Sequence, residues 1–239
     1  MKSPVQDRSP DTGARRLKSM VAESAAKMMP RGLMRELRRY RALTKSQRRL
    51  YLKIRFSRKF GRRKPSTTVN SANGCSILFV CYGNIMRSPM CEALLKREFA
   101  SAPRGRFTVV SAGINATPGR PPHPWALSAA KEFGISLETH VAQLLTTEMA
   151  DRADFIFVMD YDNLIQVLSR WPGVKEKVFF LSAYANTRRA SVEIADPYYF
   201  DLAGTQCCYR MLNDCTRNLG RALFAGAESA LTFDYQKFD

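Results

Sequence analysis

Long apolar runs are missing from this chain of 239 residues. The strongest, Ile77 to Cys81 and Phe155 to Met159, span five residues each, far short of the roughly 18 needed to cross a bilayer. The chain opens on Met1-Lys2-Ser3-Pro4 without an apolar signal core, which argues against secretion and for six cysteines held as thiols rather than as a disulfide framework. Their spacing makes no metal set, and neither metal nor cofactor is expected. Acidic residues are nearly absent from one end. Residues 1 to 69 hold 21 Lys and Arg against Asp7, Asp11, Glu23 and Glu36, so they carry the whole formal charge of +17, and the remainder is neutral. A uniformly basic nucleic-acid-binding globule is thereby excluded in favour of a neutral domain with a basic arm.

The arm begins with Ser, Pro, Asp, Gly and Arg and few large apolar side chains, the composition of a disordered start over residues 1 to 29. Leu33, Leu37 and Tyr40 then recur at helical spacing. After a Thr44-Lys45-Ser46-Gln47 capping-box pattern, Leu50 and Ile54 do so again. Arg58 to Lys64 and the Pro, Ser, Thr and Asn residues that follow read as a linker. The arm and linker are assigned to residues 1–74, a globular domain to 75–227 and a tail to 228–239.

Within 75–227, short apolar runs alternate with helical periodicity. Strands are expected at Ser76 to Val80, Phe107 to Val110, Asp154 to Met159 and Lys177 to Leu181. Helices are expected at Ser88 to Ala100, Pro124 to Phe133, Asp162 to Trp171 and Cys207 to Phe224. The fold class is α/β: an open four-stranded parallel sheet with helices on both faces, preceded by a basic helical or disordered arm.

In such sheets ligands bind beyond the carboxyl ends of the strands, so the first strand-to-helix turn is the place to look. It reads Cys81-Tyr82-Gly83-Asn84-Ile85-Met86-Arg87-Ser88-Pro89. A Cys followed six positions on by Arg also occurs at Cys91/Arg97 and Cys215/Arg221, but those pairs lie inside expected helices, whose amides are already used. In the first turn, Gly83 permits close backbone approach and Asn84 tolerates a left-handed conformation, so successive N–H groups can form an anion nest. Pro89 suits a first helical turn. Helix N-terminus, nest and guanidinium then face one small volume fit for a tetrahedral oxyanion. The same field favours a thiolate nucleophile at Cys81, with Ser88 as a hydrogen-bond donor to sulfur.

Val80 to Pro89 resembles the phosphate-binding loop of the low-molecular-weight protein tyrosine phosphatases. Further matches follow in order: Ser111-Ala112-Gly113, Pro121-Pro122-His123-Pro124, Met159-Asp160 and Asp196-Pro197-Tyr198-Tyr199. The resemblance implies a phosphomonoesterase that hydrolyses protein phosphotyrosine through a phosphocysteine, without a metal. By it, Cys81 attacks phosphorus, Arg87 clamps the equatorial oxygens, and Asp196 protonates the leaving phenolate and then activates water. Tyr82, Gly83, Asn84, Ile85, Met86 and Ser88 complete the phosphate-binding loop. Ser111 and His140 support the loop, His140 as a structural histidine rather than a base, and Tyr198 and Tyr199 flank the aromatic phosphoester.

Departures from the family pattern also carry expectations. Met86 replaces a second cysteine that guards the nucleophile in many members, and His123 replaces the commoner aspartate. The rival functions are a thiol-dependent arsenate reductase and an inactive phosphatase-like binding or targeting protein holding an acidic partner. The arm suits an anionic membrane surface or an acidic protein better than nucleic acid, since it carries no base-reading module. A cytoplasmic enzyme is expected, peripheral at the inner face of a membrane if the arm binds there.

Overall fold

A computed structural model describes residues 37, 39–56, 63–65, 74–186 and 193–234, with side chains as far as 224. The disordered start expected at 1–29, Leu33, and most of the linker lie outside these residues. By compactness the chain divides into two units, 1–48 and 49–239. Helix α1, Lys45–Phe56, is opened by the capping box that its sequence spells. The Thr44 amide donates to Gln47 Oε1 at 3.0 Å and the Gln47 amide to Thr44 Oγ1 at 3.3 Å, satisfying two end amides reciprocally.

The second unit is an α/β fold. Strands β1 (Cys75–Cys81), β2 (Phe107–Gly113), β3 (Phe155–Val158) and β4 (Val178–Phe180) form one all-parallel sheet in the order β2-β1-β3-β4. Helices α2 (Arg87–Glu98), α3 (Pro124–Lys131), α4 (Thr147–Arg152), α5 (Tyr161–Arg170) and α6 (Leu202–Asp234) connect and cover it. Ile77, Leu78, Phe79 and Val80 are all fully buried, as expected of a strand covered on both faces. Ile77, Phe79 and Cys81 share a core with Leu94 and Leu95 of α2 and Leu212 and Leu219 of α6. Alternation sends Leu78 and Val80 to the opposite face.

The closing helix is longer than its periodicity suggests. It starts at Leu202 because Asp201 caps it, accepting the Gly204 amide at 2.8 Å on Oδ1. It passes Gly226 without stopping, a residue that sequence reasoning treats as punctuation. Helix α4 was not expected; Thr146 caps it by accepting the Met149 amide at 3.2 Å.

The strand order fixes the site. After β1 the chain crosses to β2 on one side, and later to β3 on the other, so the turns that leave β1 and β3 diverge and open a crevice between them. Cys81 ends β1, and Asp160 lies just beyond β3.

Candidate active site

The turn after β1 is built from the backbone outward. Asn84 holds φ at 53°, the described residues' single positive value outside glycine, a conformation that short polar side chains adopt most readily. Its fully buried side chain pays for this with three hydrogen bonds. Nδ2 donates to Ser88 Oγ at 3.0 Å and to Ser111 Oγ at 2.9 Å, and Oδ1 accepts the Gln143 amide at 2.9 Å. His140 Nε2 meets the Asn84 carbonyl at 2.9 Å. Ser111 donates to Glu92 Oε2 at 2.6 Å, and Gln143 Nε2 donates to the Ser111 carbonyl at 2.7 Å. Gly113 closes the turn from behind: a Cβ there would lie 2.8 Å from both the Asn84 nitrogen and the Tyr82 oxygen.

Cys81 Sγ receives the Asn84 amide at 3.3 Å and lies 3.0 Å from Ser88 Oγ. Both groups can donate to a thiolate, which is how a nucleophilic sulfur is held ready. Met86 caps α2 without a side-chain hydrogen bond, so the positive end of the helix is turned to the loop without an acceptor from its own cap. The Tyr209 hydroxyl donates to the Met86 carbonyl at 3.0 Å and Ile85 accepts the His123 amide at 3.0 Å, which pins the loop's far side.

Arg87 is 2% exposed, yet charged. Its Nη1 donates to Asp160 Oδ2 at 2.6 Å and to the Ile194 carbonyl at 3.0 Å, and its Nη2 donates to Asp196 Oδ2 at 2.6 Å. Burial opposes the cation, but Asp160, Asp196 and Cys81 outweigh it and raise its pKa further. The two carboxylates are not equivalent: the Asp160 side chain is 10% exposed, and that of Asp196 is 37% exposed. One is a fixed strut and the other borders solvent. Asp196 Oδ1 also accepts the Tyr198 amide at 3.2 Å.

At the mouth, Tyr198 sets its ring edge-on to His123, centroids 5.6 Å apart, and to Tyr199 at 5.2 Å. Tyr199 is 86% exposed, and Tyr82 is exposed beside the loop. His123 Nδ1 caps α3 by accepting the Trp125 amide at 3.2 Å. Partial burial, then Arg120, lower its pKa.

The expected residues thus fall in one place, with Cys81, Arg87 and Asp196 linked through the loop and the guanidinium. The other two Cys/Arg pairs lie in α2 and α6. Burial pushes the Cys91 thiol well up and the Cys215 thiol to about 12. Asp160, Glu92 and Gln143 were given no role beforehand. Asp160 had a signal: a carboxylate just past a strand's carboxyl end, beside the strand that delivers Cys81. Among the described residues no group of three or more His, Cys, Asp or Glu could hold a metal ion, and no helix is long and apolar enough to cross a membrane.

Comparison with known proteins agrees with the geometry. The profile of the family described as low molecular weight phosphotyrosine protein phosphatase matches residues 76–228. A probable low molecular weight protein-tyrosine-phosphatase, EpsP of Ralstonia nicotianae, is 37% identical over 137 residues, 57% of this chain and 88% of its own. The crystal structure of the Erwinia amylovora tyrosine phosphatase AmsI superposes with a TM-score of 0.55 at 36% identity, covering 62% of this chain and 92% of its own. The YwlE arginine phosphatase of Geobacillus stearothermophilus superposes with a TM-score of 0.56 at 30% identity, covering 63% and 94%. Since the matched segment spans more than half of the sequence and takes in the loop, the buried arginine and its carboxylates, the chain belongs to the low-molecular-weight phosphotyrosine protein phosphatase family.

Proposed function

We propose that this phosphatase hydrolyses phosphotyrosine in proteins with Cys81 as nucleophile, Arg87 as phosphate clamp and Asp196 as general acid and base. The observation that carries the reading is the shared guanidinium: Arg87 touches the acid loop through Asp196 while its helix starts at the loop that holds Cys81 Sγ. The thiolate attacks phosphorus in line with the ester oxygen. The P–O bond breaks, Asp196 gives its proton to the phenolate, and a phosphocysteine remains. Water, deprotonated by Asp196, then attacks phosphorus, releasing inorganic phosphate and the thiolate. The loop amides and Arg87 stabilise the equatorial oxygens throughout.

Tyr82, Tyr198 and Tyr199 around the mouth support an aromatic ester. Because an arginine phosphatase is among the similar structures, phosphoarginine is the rival substrate. The test compares a phosphotyrosine peptide, a phosphoarginine peptide and para-nitrophenyl phosphate with the wild type and Cys81→Ser. Turnover of the tyrosine peptide and the aryl ester, lost in Cys81→Ser, is the expected result. Faster turnover of the arginine peptide would overturn the substrate assignment, and activity in Cys81→Ser would overturn the mechanism.

For residues 1–69, the basic excess supports an anionic partner, foremost an anionic lipid surface at the inner face of the cytoplasmic membrane. Binding of the full chain to anionic but not neutral vesicles, weakening as salt rises, is expected. No binding to anionic vesicles at low salt would defeat this assignment.

A further inference from the structure

The compact unit that holds the sheet begins at Arg49, well ahead of β1. Tyr51 and Ile54 of α1 are buried. The Tyr51 ring stands edge-on to the Tyr161 ring, with centroids 6.1 Å apart, and the Arg55 guanidinium lies over the Tyr161 ring at 5.3 Å. From the sheet side Phe180 closes on Tyr161 at 5.0 Å. The chain ahead of β1 is pinned a second time. Arg63 donates to the carbonyls of Lys175 at 2.8 Å and Val178 at 3.1 Å and lies over the Phe179 ring, while Lys64 lies over the Tyr184 ring. These contacts lie at β4, an edge strand of the sheet, and give its Val178 carbonyl a partner.

Tyr161 is the first residue of α5 and follows Asp160, the strut of Arg87. Asp160 is held in place by its own helix, accepting the Asn163 amide on Oδ1 at 2.7 Å. On either side of it the chain grips the acid loop: the Met159 carbonyl accepts the Ile194 amide at 2.8 Å, and the Tyr161 amide donates to Glu193 Oε1 at 3.0 Å. Ile194 in turn accepts from Arg87. The three residues Met159 to Tyr161 therefore set both the aim of the guanidinium and the approach of the loop carrying Asp196. The ring at the end of this triplet is clamped by α1.

We propose that Tyr51 and Arg55 are positioning residues for the phosphatase reaction, holding Tyr161 so that Asp160 aims the Arg87 clamp. The proposal rests on the phosphatase reading above. It makes part of the basic arm an element of the catalytic unit. The physical reason is leverage: Arg87 must match an oxygen arrangement that is trigonal at the transition state, and small misplacements of a clamp are costly there.

The experiment uses the full chain and the variants Tyr51→Ala, Arg55→Ala and Tyr51→Phe, with Lys53→Ala, an exposed neighbour on the same helix, as the reference. Active sites are counted from the burst of p-nitrophenolate, so that unfolded protein does not enter the rates. Inhibition by orthovanadate, whose bound form is trigonal bipyramidal, is compared with inhibition by tetrahedral inorganic phosphate. In Tyr51→Ala, kcat should fall and the vanadate inhibition constant should rise by about 5- to 20-fold, with phosphate changing less than about 2-fold. Arg55→Ala should shift the same ratio in the same direction, and Tyr51→Phe, which keeps the ring, should restore it. If Tyr51→Ala does not fold, the exposed Arg55→Ala decides alone. A vanadate-to-phosphate ratio equal to that of Lys53→Ala in the folded variants would overturn the proposal, even with a lowered melting temperature. An inactive wild type would instead overturn the phosphatase reading on which it rests.

Discussion

Arg87 Nη2 and Asp196 Oδ2 lie 2.6 Å apart, so the residue assigned to clamp phosphate and the residue assigned to give up a proton are ion-paired with each other. The two roles are linked by this contact. A phosphoryl dianion entering the loop competes for the guanidinium. Asp160, more deeply buried and bonded to the other nitrogen, keeps the arginine in place during the exchange.

Asp196→Asn follows directly. It should slow turnover of phosphotyrosine by about 10²–10⁴-fold, the usual worth of general acid catalysis. With para-nitrophenyl phosphate, whose leaving group needs little protonation, the loss in the first chemical step should be far smaller. Pre-steady-state rates on both substrates check this, and equal losses would remove Asp196 from the acid role.

Asn84 makes a separable prediction about the loop. Asn84→Ala takes one hydrogen bond each from Ser88 and Ser111, leaves the Gln143 amide without its side-chain acceptor and puts a side chain with no local hydrogen bond at φ 53°. A loss of about 2–4 kcal/mol is expected from the buried polar groups. Asn84→Gly loses the same bonds but not the backbone preference, and should be about 1 kcal/mol more stable than Asn84→Ala. Urea unfolding of the three proteins measures both differences.

These residues also show what a sequence carries. The turn from Cys81 to Pro89 was legible because its chemistry is local: a strand end, a glycine, a left-handed asparagine and a helix start lie within nine positions. The Thr44 capping box was legible for the same reason. The roles of Glu92 and Gln143 were not, nor was the partner of Asp160, because each acts on a residue remote in sequence, Asp160 on Arg87 across 73 positions. The face of α1 was visible as an apolar stripe at Leu50 and Ile54. Its partner was not, since an amphipathic stripe suits a membrane, another protein or the chain's own Tyr161 equally.

His123 gives a pH dependence whose sign is fixed by its hydrogen bond. Nδ1 must be unprotonated to accept the Trp125 amide, and burial with Arg120 lowers its folded pKa below the ordinary value. The unfolded chain then binds the proton more readily. Stability from this group is full above the ordinary histidine value of about 6.5 and is lost as pH falls toward the lower folded value. His123→Asn keeps a capping oxygen without titrating. Its melting temperature relative to wild type should rise as pH drops from 7 to 5, and a constant difference would show that the cap does not titrate.

The last prediction concerns Met86, which stands five positions after Cys81 where a second thiol would be placed to trap a sulfenic acid. The remaining thiols near the site are poorly suited to that task. Cys91 is fully buried, and burial raises its pKa well above the ordinary range. Burial likewise pushes Cys208, whose Sγ lies 3.6 Å from the Ala195 carbonyl beside the acid loop, to about 12. Condensation of a sulfenic acid with a thiol proceeds through the thiolate, and these groups supply almost none near neutral pH. Peroxide should therefore carry Cys81 past the sulfenic acid to sulfinic and sulfonic forms. Intact mass should show two and then three added oxygens rather than the loss of two hydrogens, and dithiothreitol should recover little activity. Met86→Cys should reverse the pattern, giving a disulfide and near-complete recovery. A disulfide from Cys81 to Cys91 or Cys208 in the wild type would mean that the loop opens far enough under oxidation to bring a buried thiol to the nucleophile.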